Sequence, residues 1–287
     1  MISKAKSQLF LVFLTVVMGG VYLATLGNSM QEAYLTIASL GLIGLSLALE
    51  RFFPLHSDWN VSQGVMGGDI SSFIVVFGII DGALKWLSPF IILALLPDLG
   101  LASNWPLWTQ ILIATLLIEL GAWASHWAHH TYMPLWALHA MHHSTERLYT
   151  LNNFRFHPLN HVINYLIMFL PLLALGISAE AILGYTALTL PVLLLQHSNV
   201  GFDFGALSYG FNTNTLHRWH HSSTYKEGMH NFGRAFVLWD HLFGTYYNPA
   251  DREEPNTVGL GSGSAPYPSP NRTFKQVLWP FSKNCCQ

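Results

Sequence analysis

Six stretches of this chain, residues 9–26, 33–49, 70–96, 107–123, 162–177 and 181–195, are almost wholly apolar. A helix rising 1.5 Å per residue needs about twenty such residues to cross the roughly 30 Å hydrocarbon core of a bilayer. Inside that core every backbone N–H and C=O must be satisfied by the segment itself, which leaves helices as the natural solution. The expected fold is therefore all-α, a multi-span helical bundle in a membrane. Composition agrees: 51% of residues are hydrophobic and 10% are charged. The first run follows Lys4 and Lys6; it is longer than the apolar part of a cleaved leader and no small-residue cleavage site follows, so it reads as a retained span. The second ends at Glu50-Arg51-Phe52-Phe53-Pro54, where paired charges and a proline stop a helix. Asp81 and Lys85 interrupt the third at i,i+4 spacing, as an internal ion pair or a kink between two half-spans. Residues 97–106 form a short turn, and the last two runs, joined by Ser178 to Glu180, form a helical hairpin.

Polar chemistry is concentrated where these runs stop. His126-Trp127-Ala128-His129-His130, His139-Ala140-Met141-His142-His143 and His217-Arg218-Trp219-His220-His221 repeat the pattern HxxHH. Residues i, i+3 and i+4 share a helix face, so each run is expected to aim its imidazoles at a common point. One isolated motif of this kind is more often an ordinary set of histidines than a metal site. Three of them in a chain so poor in charge, at a membrane edge, need coordination or hydrogen bonds to be buried without a large desolvation cost. Nine imidazoles, with His197 as a tenth, exceed what one ion takes and suit two. Imidazole accepts zinc, iron, copper or nickel, and no carboxylate lies within the three motifs. Cys285 and Cys286 are adjacent, which excludes an ordinary structural staple and a thiolate metal site.

The formal net charge of −2 gives no reason to expect nucleic acid as a partner. Lys4, Lys6, Arg51, Arg147, Arg155, Arg218, Lys226 and Arg234 fall on one side of the expected spans, whereas the turns near Asn28 and Asp98 carry no basic residue. The excess of Lys and Arg assigns that side, with the N-terminus and the histidine clusters, to the cytoplasm.

The ordered motifs resemble those of the fatty acid hydroxylase and sterol desaturase superfamily, most densely from Glu119 to Tyr246. His126 and His130 match its HxxxH, and His139, His142 and His143 match its first HxxHH. Gln196-His197-Ser198-Asn199 is similar to its downstream histidine element. His217, His220 and His221 match the last HxxHH, and Trp239-Asp240-His241-Leu242-Phe243-Gly244-Thr245 matches a closing WDxLFGT. Trp127 stands where an arginine is common, His129 is additional, and Asn231-Phe232-Gly233 replaces an NYG.

The resemblance implies that His126, His130, His139, His142, His143, His197, His217, His220 and His221 hold two iron ions, with zinc an alternative in isolated protein. It implies O2-dependent hydroxylation or desaturation of a lipid C–H bond. His129, His157 and His161 stand as possible further ligands or supporting groups. Asp240 either hydrogen-bonds a ligand imidazole or caps the turn at 242–244, and Glu119 either orients a ligand or pairs with Arg218 or Arg234. Trp127, Tyr132, Trp136 and Trp219 anchor the interface or line a lipid pocket. The chain has no glycine-rich dinucleotide fingerprint, no cysteine set for an iron–sulfur cluster and no haem domain. No bound haem, flavin or nicotinamide is expected, and electrons must come from a separate ferredoxin, cytochrome or flavin reductase, docking near residues 146–155 or 226–234.

The expected organisation is an N-terminal membrane region of about three spans (1–106), a catalytic region (107–250) and an irregular tail (251–287). Two rivals remain at this level: a redox-silent zinc hydrolase of the membrane, and a membrane metal-binding or transport protein. Against transport, the histidine runs lie at span ends, not at mid-bilayer.

Overall fold

The computed structural model describes residues 2–95, 100–252, 254–261, 267–283 and 285. The ordered elements among them are helices: α1 (Lys4–Ala24), α2 (Gln31–Phe52), α3 (Met66–Ser72), α4 (Asp81–Leu95), α5 (Leu107–Thr131), α6 (Met133–His143), α7 (Pro158–Leu175), α8 (Ala179–Leu195), α9 (Asn214–His220), α10 (Tyr225–Gly228), α11 (Leu238–Phe243) and α12 (Thr273–Leu278). Strand-like pairing among the described residues is confined to isolated bridges such as Pro54 with Val200. Five stretches are long and apolar enough to cross a membrane: Lys4–Ala24, Gln31–Phe52, Met66–Ile91, Leu107–Thr131 and Pro158–Leu175. The third is one continuous rod in which a π-helical segment, Phe73–Ile80, joins α3 to α4. Together these make a multi-pass membrane protein.

The sixth apolar run has a different role from the first five. α8 is 17 residues long and lies inside the bundle, with α1, α2 and α5 packed against it. Gly184 permits this closeness, because a Cβ there would come within 2.8 Å of Ile111 and 3.1 Å of Tyr22. α5 and α7 are packed as tightly, with Gly121 against the backbone of Ile167 and Met168. Local signals set the ends. The Ser178 hydroxyl accepts from the Ala181 N–H at 3.3 Å at the start of α8, and Gly176 ends α7 at φ 76°, a conformation that costs glycine nothing. α1, α2 and the Met66–Ile91 rod keep large apolar side chains exposed, among them Phe13, Ile37, Ile79, Trp86 and Phe90. Their natural solvent is lipid.

The Asp81–Lys85 pair forms as the spacing implies, at 3.2 Å, and does more than neutralise itself. Lys85 also reaches Glu32 on α2 at 3.0 Å and Asp81 reaches His161 on α7 at 3.2 Å, so the pair ties three helices together. Glu50, at the end of α2, is buried and accepts the N–H groups of Thr150 (2.7 Å) and Asn199 (2.8 Å).

Residues 254–261 and 267–270, rich in Gly, Pro and Ser, carry no helix. After them the tail forms α12 and a further turn at Trp279–Phe281. The cause is Arg155, fully buried beside Asp69 at 2.5 Å. A buried guanidinium needs all its donors met, and the tail meets them with the Pro270 carbonyl at 2.5 Å and Gln276 Oε1 at 2.8 Å. Part of the 97–106 turn and Cys286 lie outside the described residues.

Candidate metal centre

The last turns of α5 carry His126 and His130, α6 ends in His139, His142 and His143, α9 carries His217 and His220 and is followed by His221, and His197 follows α8. These nine fall into two groups, each with ring nitrogens within 4.8 Å of one another: His126, His130, His139, His143 and His220, and His142, His197, His217 and His221. The expectation that each HxxHH aims at one point is corrected. The run 139–143 gives its i and i+4 members to the first group and its i+3 member to the second, and the run 217–221 does the reverse. Helical geometry explains this, since at about 100° per residue i+4 falls some 40° to one side of i and i+3 some 60° to the other. The two groups adjoin, with His143 stacked on His221 at 4.2 Å between ring centres.

Five imidazoles have their outward nitrogen committed. Nδ1 of His126 donates to the Phe232 carbonyl (3.0 Å), of His142 to the Arg155 carbonyl (3.2 Å) and of His220 to the His230 carbonyl (2.8 Å). Nδ1 of His139 donates to Asn160 Oδ1 (2.8 Å) and of His197 to Asn152 Oδ1 (2.7 Å). A neutral ring that donates through Nδ1 presents a bare lone pair at Nε2, the arrangement ligand histidines use. Those lone pairs face one another: Nε2 of His126 and His139 are 3.1 Å apart, and Nε2 of His197 and His217 are 2.9 Å apart. For an ion at about 2.1 Å from each nitrogen, adjacent ligands lie about 3.0 Å apart. The His220 Nε2, buried and without a hydrogen-bond partner among the described residues, fits the same reading. The donor set fits a pair of imidazole-binding ions.

The other sequence candidates lie around the cages. His129 belongs to neither group. It donates from Nδ1 to the Ser125 carbonyl at 2.7 Å and accepts at Nε2 from Asn160 Nδ2 at 3.1 Å, which fixes Asn160 as the acceptor for His139. His157 begins α7, accepting from the Leu159 N–H at 3.1 Å and donating to the Val277 carbonyl at 3.0 Å. His161 meets Asp81, away from both groups. Asp240 does not touch an imidazole. It accepts from the N–H groups of Phe232 and Gly233, both at 2.8 Å, and so holds the carbonyl that orients His126. Glu119 likewise touches no histidine: it accepts from the Tyr185 hydroxyl at 2.6 Å and from the N–H of Ala235 and of Phe236, each at 3.0 Å. The stretch 146–155 is mostly buried and only Glu146 in it is exposed, which removes it as a docking surface for an electron donor. Asn152 and Asn160, both fully buried, were not singled out from sequence.

Burial sets the charge state. It pushes the His142 imidazole down to about 3, with repulsion from His126 adding to the effect. His139, His143, His197, His217, His220 and His221 are held well below the usual imidazole range by burial and then by one another. They are neutral and ready to ligate. A cavity of about 130 Å³ opens beside both groups, touching His126, His139, His142 and His217 together with Phe156, Asn164, Met168, Gln196 and Arg234.

Residues 111–245, which contain all nine histidines, match the family model for fatty acid hydroxylase. Over that region the chain is similar to the fatty acid hydroxylase family. It is 29% identical over 264 residues to the ornithine lipid hydroxylase OlsE of Rhizobium tropici, covering 89% of this chain and 78% of that relative. No solved structure matches it significantly. These similarities support lipid hydroxylation and an oxidoreductase.

Proposed function

We propose that this protein hydroxylates a lipid C–H bond with O2, using two iron ions held by His126, His130, His139, His143 and His220 on one side and by His142, His197, His217 and His221 on the other. The observation that carries the reading is the division of nine neutral imidazoles into two adjoining cages with opposed Nε2 atoms. When bound, the iron pair supplies the O2 activation that an unactivated C–H bond requires. One oxygen atom ends in the C–OH bond; the other leaves as water with two electrons and two protons from a separate donor, a ferredoxin, cytochrome or flavin reductase.

The chain's own residues do the positioning. The Phe232, Arg155 and His230 carbonyls and the Asn160 and Asn152 amides hold five rings in the tautomer that keeps Nε2 bare. Phe156 and Met168 give the cavity apolar surface against which an alkyl group rests and from which water is excluded. The catalytic region is 107–250, 1–106 supplies membrane spans, and the histidine side with the N-terminus faces the cytoplasm, consistent with the basic residues there. Electron donors then meet the exposed face near Lys226.

Comparing lipid extracts from cells with and without the intact gene tests the reading. A lipid heavier by one oxygen atom, formed only with O2, is expected. Turnover without O2, with zinc retained, would favour the hydrolase alternative.

A further inference from the structure

His142 sits in the four-imidazole cage, and one short segment holds its ring. The Arg155 carbonyl accepts from His142 Nδ1 at 3.2 Å. The next side chain, Phe156, stacks on the same imidazole, with ring centres 4.4 Å apart and planes 17° apart. Edge and face of the ligand are thus both set from residues 155 and 156. Those residues belong to no helix, so something else must fix them. On both sides of the 155–156 peptide the contacts run to the C-terminal segment. The buried Arg155 guanidinium donates through Nη2 to the Pro270 carbonyl at 2.5 Å and to Gln276 Oε1 at 2.8 Å. The His157 ring donates to the Val277 carbonyl at 3.0 Å. Gln276 is itself fully buried, and its Nε2 donates to the Pro268 carbonyl at 2.9 Å, which ties the start of the segment to α12. The guanidinium also meets Asp69 at 2.5 Å and the Ser144 hydroxyl at 3.3 Å. Polar groups buried this deeply keep their geometry, because moving them leaves donors and acceptors without partners.

We propose that residues 267–281 are a strap that positions His142: Pro270, Gln276 and Val277 hold the side chains of Arg155 and His157, and the carbonyl and ring carried between them hold the imidazole. Arg155, His157 and Gln276 are positioning residues, and none of them is a ligand. The inference rests on the reading of the second cage as a metal site and names the part of the chain that keeps it in shape. The strap lies beyond residues 111–245, so the second cage draws on sequence outside that region. The first cage takes its orientation from the Phe232 and His230 carbonyls and from Asn160. Loosening the strap should therefore act on one cage more than the other.

The test is iron binding to the full-length chain in detergent, titrated from the metal-free state and read by elemental analysis, beside amide hydrogen exchange of the metal-free protein. Arg155→Ala would strand Asp69 without its cation, so the strap is cut at Gln276. Gln276→Leu keeps the size and loses both hydrogen bonds; it is expected to weaken one of the two ions by about tenfold and to leave the other as in the parent. Exchange should quicken across 154–158 and stay as in the parent across 126–130. Gln276→Glu keeps the acceptor for Arg155 and should load as the parent does. Leu172→Ala opens a cavity in the helical core; it should lower the thermal midpoint without changing the ratio of the two affinities, which separates positioning from general loss of stability. With two ions in the parent, unchanged loading or equal weakening of both ions in Gln276→Leu sinks the strap alone. So does unchanged exchange across 154–158, a Gln276→Glu as impaired as Gln276→Leu, or the same skewed loss in Leu172→Ala. Fewer than two ions in the parent, with faster exchange across 154–158 in Gln276→Leu, sinks the two-ion reading and leaves the strap's hold on 155–157 standing.

Discussion

The two histidine cages are built from the same motifs yet differ in how much they can lose. The first has five imidazoles and draws them from α5, α6 and α9; the second has four, from α6, α9 and the ends of α8 and α9. Each cage borrows the i+3 member of a motif whose other two members serve its neighbour. Neither cage can therefore form alone, and the helix ends must dock before either site exists. The lesson is that number and support differ: the four-imidazole cage has no ligand to spare, and in it His217 and His221 have buried Nδ1 atoms without a hydrogen-bond partner among the described residues.

The largest effect should come from removing a ligand of the smaller cage. His142→Ala leaves three imidazoles there and is expected to abolish product and to lower bound iron from about two per chain toward one, measured by elemental analysis beside a lipid assay. His130→Ala leaves four in the larger cage. It should weaken loading by up to about a hundredfold while two ions still bind at saturating iron, and a loss as complete as that of His142→Ala would break the comparison.

Supporting groups rank next. Asn152→Ala should cost more than Asn160→Ala, because Asn152 also donates to the Thr145 hydroxyl and the Arg147 carbonyl, at 2.8 and 2.7 Å, and accepts the Tyr149 N–H at 3.1 Å. For Asn160→Ala a loss of about tenfold in iron affinity is expected. Equal losses would mean that the two amides act only as spacers.

Acidity acts on both cages through their neutral state. The unfolded chain takes up protons on its histidines below about pH 6.5, whereas the folded His142 remains neutral to about 3. The unfolded state thus binds more protons across that window, and folding stability falls as pH falls through it. From His142 alone the loss between pH 7 and pH 5 is about 2 kcal/mol. The thermal midpoint of metal-free protein should drop on acidification; a flat or rising midpoint would mean that the rings are not buried neutral. The smallest change is expected far from the cages, at Lys85→Met, whose partly exposed pairs with Asp81 and Glu32 contribute about 0–1 kcal/mol and no metal.

How much of this was legible in the sequence follows the range of the forces involved. Five apolar runs became membrane-length helices because hydropathy and the 3.6-residue repeat are local properties. The Asp81–Lys85 pair was legible for the same reason, its links to Glu32 and His161 were not. The split of each HxxHH was within reach of a helical projection, since i+3 and i+4 lie on opposite sides of i, but the choice of partners needed the fold. The Phe232, Arg155 and His230 carbonyls that orient ligands have no signature at all, because every residue has a carbonyl. The α12 segment has no local signature of its own, since its order comes from a buried Arg155 more than a hundred positions upstream.

The central claim is that two ions sit in two imidazole cages. Iron K-edge absorption of the reconstituted chain, combined with elemental analysis, tests it most directly. The account predicts about two iron ions per chain with a first shell dominated by imidazole nitrogen at about 2.1 Å, the distance the opposed Nε2 atoms imply. A single ion per chain, or a first shell in which carboxylate oxygen predominates, would contradict it.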